Sequence, residues 1–328
     1  MKAVLGPCRG IALALLLFLL LTLTAAPPAS ACSMCRCGDA TFNALGTDVY
    51  VDGKLRVAFD WERFDKDQGA ADAQESMLEN RFTTALSYTF GDRVTAVARV
   101  PYSSRVQRSP AGEETAATAD GPLLRAASTE RLRETTSDLS DPELYALVRL
   151  WTSSFAGGLG RRAWISAIGG VKTDWGRNDL RAGGVRLDEH LQAGTGSRDF
   201  FGGLSGFYLL THTSSLFGSA QYRRTGTNDF GYRYGNIKMA SFGYERKVTE
   251  ALDGVVTLDY RDAGRDLAGD EGLDPDTGGR ILYVSPRLSM DFRRGLVGRL
   301  SFQLPVFKDL NGNQKEKAVV NVGLTYLF

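Results

Sequence analysis

A few residue groups in this chain have the types and spacing to do chemistry. Cys32, Cys35 and Cys37 stand in Cys-Ser-Met-Cys-Arg-Cys-Gly-Asp, and no cysteine follows them. Long-range disulfides are therefore excluded. Three thiols this close can form one tight disulfide and leave one free. They can also offer soft thiolates to Cu(I) or Zn, with Asp39 as a fourth ligand. The disulfide is the plainer reading, and no other cofactor is called for. A haem attachment is ruled out, because Cys32-x-x-Cys35 is followed by Arg36 and not by His. His212-Thr-Ser214, with Asn228 downstream, has the composition of a base, a nucleophile and an orienting group. His190 follows Asp188 and Glu189, which suggests a metal site or, more simply, a solvated acidic loop. Asp309, Asn311 and Asn313 have oxygen-ligand spacing, but lack the rest of an EF-hand. A β-turn on Asn311-Gly312 explains them better. Asp266, Asp270, Glu271, Asp274 and Asp276 crowd one further stretch and suggest weak cation binding at a surface.

What these groups can do depends on where the chain places them. Residues 1–31 read as a secretory signal peptide. Lys2 and Arg9 precede an apolar run over 11–24, then Pro27-Pro28 and Ala29-Ser30-Ala31. Cleavage after Ala31 would leave Cys32 first, so lipidation of Cys32 is an alternative. Ala29 stands where a lipobox usually has Leu. Residues 32–52 form a Cys-rich segment ahead of the main domain, 53–328.

The composition resembles that of an average globular protein: 43% hydrophobic, 23% charged and a formal net charge of +1. Such balance gives no electrostatic reason to expect nucleic-acid binding. A mean hydropathy of −0.18 excludes a bundle of membrane helices. The apolar residues, however, alternate rather than cluster. Leu55, Val57, Phe59 and Trp61 alternate with Arg56, Ala58, Asp60 and Glu62. Val320, Val322, Leu324, Tyr326 and Phe328 alternate with Asn321, Gly323 and Thr325. Period two is a strand signal.

It recurs in about twelve segments: 53–64, 80–90, 93–103, 141–152, 162–173, 197–211, 214–224, 235–247, 251–262, 279–292, 295–307 and 317–328. Most are long enough to cross a bilayer when tilted, and many end in aromatic residues. Short and long connections alternate between them. The charge-free window from Phe200 to Tyr222 could pass for a helix, but Gly202-Gly203, Gly206 and the stretch 211–215 indicate a hairpin. The expected fold is all-β: a transmembrane antiparallel up-and-down β-barrel with periplasmic termini. In it His212 and Ser214 fall in a periplasmic turn and Asn228 in an extracellular loop, too far apart to react together. An enzyme is not expected.

Several pieces resemble the outer-membrane barrel family associated with the MetA pathway of phenol degradation. They are Ala98-Arg-Val-Pro-Tyr102, Ser137-Asp-Leu-Ser-Asp-Pro-Glu-Leu144, Val171-Lys-Thr173, Leu187-Asp-Glu-His-Leu-Gln-Ala-Gly-Thr-Gly-Ser197 with Asp199, and Gln303-Leu-Pro-Val-Phe-Lys-Asp-Leu-Asn-Gly-Asn-Gln314. The resemblance implies a barrel in the outer membrane of a Gram-negative bacterium, passing small solutes, aromatic or hydrophobic compounds among them. The Cys-rich segment is an addition to that pattern.

Arg56, Asp60, Glu62, Arg81, Arg99, Arg149, Arg223, Asp259, Arg261, Arg287, Asp291 and Arg299 fall on the polar parity of their strands. An Arg facing mid-bilayer lipid costs about 2–4 kcal/mol, so the expectation is a lumen lined by these charges, which would set selectivity. Twelve strands predict a narrow lumen, partly plugged by charge pairs or by residues 32–52. Tyr326 and Phe328 resemble the terminal strand by which barrel-assembly machinery recognises outer-membrane proteins. The other expected partners are membrane lipid and a small-molecule solute. The alternative function is a structural barrel that docks a periplasmic redox or metal-handling protein through the cysteines.

Overall fold

The computed structural model describes residues 55–68, 75–109, 132–154, 161–182, 184–292 and 295–328. Its strands are β1 (Leu55–Gln68), β2 (Glu75–Phe90), β3 (Val94–Ser109), β4 (Leu132–Leu139), β5 (Glu143–Ser154), β6 (Arg161–Lys172), β7 (Arg181–Ala182), β8 (Val185–Arg186), β9 (Asp199–Thr211), β10 (Ser214–Arg224), β11 (Tyr232–Arg233), β12 (Ile237–Lys247), β13 (Leu252–Ala263), β14 (Leu267–Ala268), β15 (Gly279–Asp291), β16 (Leu296–Leu310), β17 (Gln314–Glu316) and β18 (Val319–Leu327).

Lipid offers no hydrogen-bond partner, so every strand must pair on both edges. Here β1 pairs with β2 on one side and with β18 on the other, from Arg56 opposite Leu327 to Arg63 opposite Val320. That seam closes an antiparallel barrel of twelve staves. The fourth stave is β4 and β5 end to end, both paired to β3. The last is β17 and β18, both paired to β1. Small ribbons, β7–β8 and β11–β14, decorate the loops.

The pleat sorts side chains in the reverse of a water-soluble protein. Phe59, Phe82, Leu150 and Phe242 are 58, 51, 62 and 55% exposed, whereas Glu79, Ser166 and Arg223 are 0% exposed. The outside is an apolar belt for lipid, and the inside is mostly polar, with small apolar clusters such as Phe64, Met77 and Val319. Short turns such as Gly91–Arg93 and His212–Thr213 share one end with Leu55 and Phe328, whose backbones are hydrogen-bonded at 2.9 Å. Short turns mark the periplasmic end of such barrels, which places both ends of the described barrel there. The 200–222 window is the β9–β10 hairpin.

The strands are longer than the alternation predicted on the extracellular side. β1 runs on to Gln68, β2 starts at Glu75 and β3 reaches Ser109. The stretch 104–140, read as loop, contains β4. Above the lipid the outer face of a strand meets water and the inner face packs on polar groups, as Thr136 does, so Leu-Arg-Glu-Thr-Thr-Ser-Asp-Leu has no apolar parity to betray it. Asn311-Gly312 forms the expected turn, with Gly312 at φ +59°, and Asn311 Nδ2 donates to the Thr277 carbonyl at 2.7 Å.

Leu258 lies midway along β13 on the lipid side and is exposed. Leu258→Arg should cost about 2–4 kcal/mol in a urea titration in vesicles. An unchanged midpoint would contradict the lipid-facing assignment.

Candidate functional site

The lumen is not lined by strands alone. Between Lys172 and Asp199 the chain turns inward, and residues 189–195 are all buried. A single 3-10 turn, Glu189–Leu191, starts the inward run, and the Asp188 carboxylate caps it by accepting from the His190 N–H. Gly194 is required there: a Cβ on it would lie 2.5 Å from the Gly176 backbone.

The segment spans between walls. On one side Arg105 donates to the His190 and Gln192 carbonyls, and Thr136 to that of Leu191 at 2.9 Å. On the other, the Tyr234 hydroxyl donates to the Glu189 carbonyl at 2.9 Å, and Asn228 Nδ2 donates to Glu189 Oε2 and to the Thr195 carbonyl. At its base Lys172 Nζ holds Asp141 at 2.8 Å, Asp199 at 3.4 Å, the Thr195 hydroxyl and the Ser197 carbonyl at 2.7 Å. The Asp141 carboxylate also accepts from the N–H of Thr195 and of Gly176.

This anchor continues into a chain of buried charges. Asp199 approaches Arg223 at 4.0 Å; Arg223 meets Glu143 at 2.5 Å; Glu143 meets Arg99 at 2.9 Å. Separately, Glu79 holds Arg81 and Arg105, Glu316 holds Lys66 and Arg261, and Asp60 holds Arg299. Such pairs gain little net stability over an apolar filling, but removing one partner strands the other charge in a dry place.

Of the sequence-predicted lumen residues, Glu62, Arg81, Arg99, Arg149, Arg223, Asp259 and Arg261 are buried within the barrel. Arg56, Asp60, Arg287 and Arg299 are partly buried, and Asp291 is exposed at the last position of β15. Sequence reasoning missed most of their partners. Glu79, Arg105 and Glu316 lie where the strands outrun the alternation, and Asp141 lies in the break between β4 and β5. Cys32, Cys35, Cys37 and the whole segment 32–52 lie outside the described residues. Tyr326 and Phe328 pack edge to face, centroids 4.6 Å apart, at the periplasmic end.

His190 corrects the reading of a solvated loop, being 2% exposed. Its Nε2 is 3.0 Å from the Tyr232 hydroxyl, which donates to Asp266 at 2.7 Å. Burial, with Lys66 and Arg105 nearby, pushes the His190 pKa down to about 3, so the ring is neutral. Burial pushes Asp266 up to about 6. Asp266 is thus a hydrogen-bond acceptor in a dry mouth and not a surface cation ligand. Among the described residues no cluster of three or more His, Cys, Asp or Glu could hold a metal. His212 is exposed in the periplasmic β9–β10 turn and Asn228 is buried in an extracellular loop, so the His-x-Ser set is not assembled.

At the periplasmic end the inner wall changes character. Trp164 shares parity with buried Ser166, and its ring stacks on Phe207, centroids 4.1 Å apart and planes 14° from parallel. Phe217 lies opposite Phe207 in the β9–β10 pair, and its ring covers Gly243, where a Cβ would come within 2.3 Å. Aromatic wall thus runs across β6, β9 and β10.

No family model matches the sequence, and no curated protein matches it. Among solved structures the chain is similar to an outer membrane channel from Pseudomonas putida F1. The TM-score is 0.63 at 12% identity, over 87% of this chain and 99% of that one. It is also similar to the translocator domain of autotransporter NalP from Neisseria meningitidis. Here the TM-score is 0.46 at 14% identity, over 86% and 91% of the two chains. With the apolar belt, the first likeness defines the class: this chain is an outer-membrane β-barrel.

Two outcomes follow from the inward loop. Lys172→Met strands Asp141 and Asp199 and should destabilise the loop anchor by about 3–5 kcal/mol. Limited proteolysis should then cut within 173–198 faster, while the heat-modifiable gel shift of the barrel persists; unchanged cutting would refute the anchor. The pH response has opposing parts. Lowered His190 contributes stability above its unfolded pKa of 6.5, lost as pH falls toward 3. Raised Asp266 and Asp188, each pushed up to about 6 chiefly by burial, oppose folding above 6, so their cost is relieved as pH falls from 6 toward 3.8. Two acids outweigh one imidazole, so loop protection in hydrogen exchange should rise as pH falls from 6 to 4, by up to roughly 1.4 kcal/mol per unit. In His190→Gln the rise should be about twice as steep.

Proposed function

We propose that this protein is an outer-membrane channel for small solutes, aromatic and hydrophobic compounds among them. The aromatic wall of Trp164, Phe207 and Phe217 carries this reading. Large rings on the inner wall gain nothing from lipid, and an aromatic solute can pack against the Trp164–Phe207 stack and Phe217. The likeness to a structure described as an outer membrane channel supports the general class. The sequence pieces resembling the phenol-degradation family support the finer one.

In this reading the charges at Arg56, Asp60, Glu62, Arg81, Arg99, Arg149, Arg223, Asp259, Arg261, Arg287, Asp291 and Arg299 tune selectivity. The loop anchored by Lys172 narrows the extracellular half. Residues 32–52 act at the periplasmic mouth, with Cys32, Cys35 and Cys37 closing a disulfide or binding a soft metal. Tyr326 and Phe328 serve recognition by the assembly machinery.

Purified protein in planar bilayers should give discrete conductance steps, larger in Lys172→Met than in the wild type. In liposomes a small neutral aromatic should enter faster than a sugar of equal mass, and Trp164→Ala with Phe207→Ala should lessen that advantage severalfold. A barrel that insulates, with the loop anchored or released, would overturn the channel reading.

A further inference from the structure

We infer that the outer wall formed by β1, β2, β3 and β4, just above the lipid belt, docks the phosphorylated head of an outer-leaflet lipid on Arg63, Arg108 and Arg133. The inference goes beyond the channel reading and does not rest on it. It needs only the barrel's place in the outer membrane.

Strand register fixes where the apolar belt ends on this wall. Trp61, Phe82, Tyr102 and Leu139 stand opposite one another across the four strands, on the outward parity. The next row toward the extracellular end is Arg63, Asn80, Ser104 and Ser137, polar throughout. Asp65, Leu78, Val106 and Thr135 follow, and then Asp67, Ser76, Arg108 and Arg133. Arg63, Arg108 and Arg133 are exposed, while Glu62, Gln107 and Thr136, on the opposite parity, are buried in the lumen.

Two features suit this wall to an anion. The first is a cross-strand pair of like charge: Arg108 lies directly opposite Arg133. Such a pair destabilises a sheet unless something negative sits between. Among the described residues, Arg63, Arg108 and Arg133 have no ion pair. The outward acids on this wall, Asp65 and Asp67, both hold Lys317, at 3.3 and 3.1 Å. Lys315, opposite Asp67, adds a further exposed cation. The second feature is a cleft of about 380 Å³ on the same face. Leu78 and Val106 give it apolar lining, and Arg63, Arg108 and the Lys317 cluster give it charge.

A phosphorylated lipid meets both features at once. Its acyl chains lie along the belt below Trp61 and Phe82, so the docking face continues the lipid interface upward. Its phosphate oxygens accept the parallel donors of a guanidinium. An anion between Arg108 and Arg133 replaces one repulsion with two attractions. The Arg63 and Arg108 rows are four residues apart, about 13 Å along the strands. A head with two phosphates can therefore engage both rows, where a single phosphate reaches one. Free phosphate gains nothing from the belt, and exposed charges are screened beyond about 8 Å at physiological salt. The lipid is the better ligand for that reason.

The test uses the full-length protein in detergent and three probes: diphosphorylated lipid A, the same lipid without phosphates, and inorganic phosphate. Native mass spectrometry should show the diphosphorylated lipid binding about tenfold more tightly than the dephosphorylated one. Millimolar inorganic phosphate should not displace it. Arg108→Gln with Arg133→Gln should weaken its binding about tenfold, and Arg63→Gln alone about threefold. Arg224→Gln removes an exposed arginine at the extracellular end of β10, away from this wall, and should change nothing. Equal affinity for the two lipids overturns the proposal. So does an Arg224→Gln loss as large as that of the double variant, which would mean attraction to the whole barrel. Displacement by inorganic phosphate overturns the lipid as the ligand. If the double variant loses its heat-modifiable gel shift, Arg63→Gln decides: undiminished binding there overturns the proposal.

Discussion

Closure of β1 onto β18 is the constraint on which the rest of this molecule depends. In hydrocarbon an unpaired backbone group costs several kcal/mol, so a sheet can cross only if it has no edge. Once the seam from Arg56–Leu327 to Arg63–Val320 is made, each stave has one face toward lipid and one toward the lumen. The outward face must be apolar. The inward face is then the place for charge, and that is where Arg99, Glu143 and Arg223 meet.

The same closure makes the inward loop possible. A barrel of twelve staves has more interior than its side chains fill, and the surplus is taken up by a piece of the chain itself. Backbone carried into that space needs partners for its N–H and C=O groups. Arg105, Thr136, Tyr234, Asn228 and Lys172 supply them, all from walls or neighbouring loops. The anchoring charges are sequestered from water and each compensates another, so the loop's position depends on the set as a whole. Toward the periplasm the lumen is lined differently, with stacked rings on one wall.

Much of the barrel was legible because lipid imposes a rule on every second residue. Alternation in Leu55–Glu62 and Val320–Phe328 marked two of the strands that form the seam, and the sorting of short and long connections marked the two ends. The rule stops where lipid stops. That is why β4 was read as loop, and why Glu79 and Arg105, only a few residues beyond the predicted strands, were missed. His190 was misread for a related reason: beside two acids in a long connection it looks solvated, and nothing local reveals that the connection folds inward.

The sequence alone determined the strand period, the number of staves and which residues avoid lipid, because these follow from local alternation against a uniform solvent. Only the tertiary structure decided which charges pair, since Arg99 and Glu143 are 44 residues apart and Arg299 and Asp60 are 239 apart. It also decided that the 173–198 connection enters the lumen and that Trp164 stacks on Phe207. Those facts depend on which staves are neighbours or opposites once the sheet has closed, and closure is a property of the whole ring.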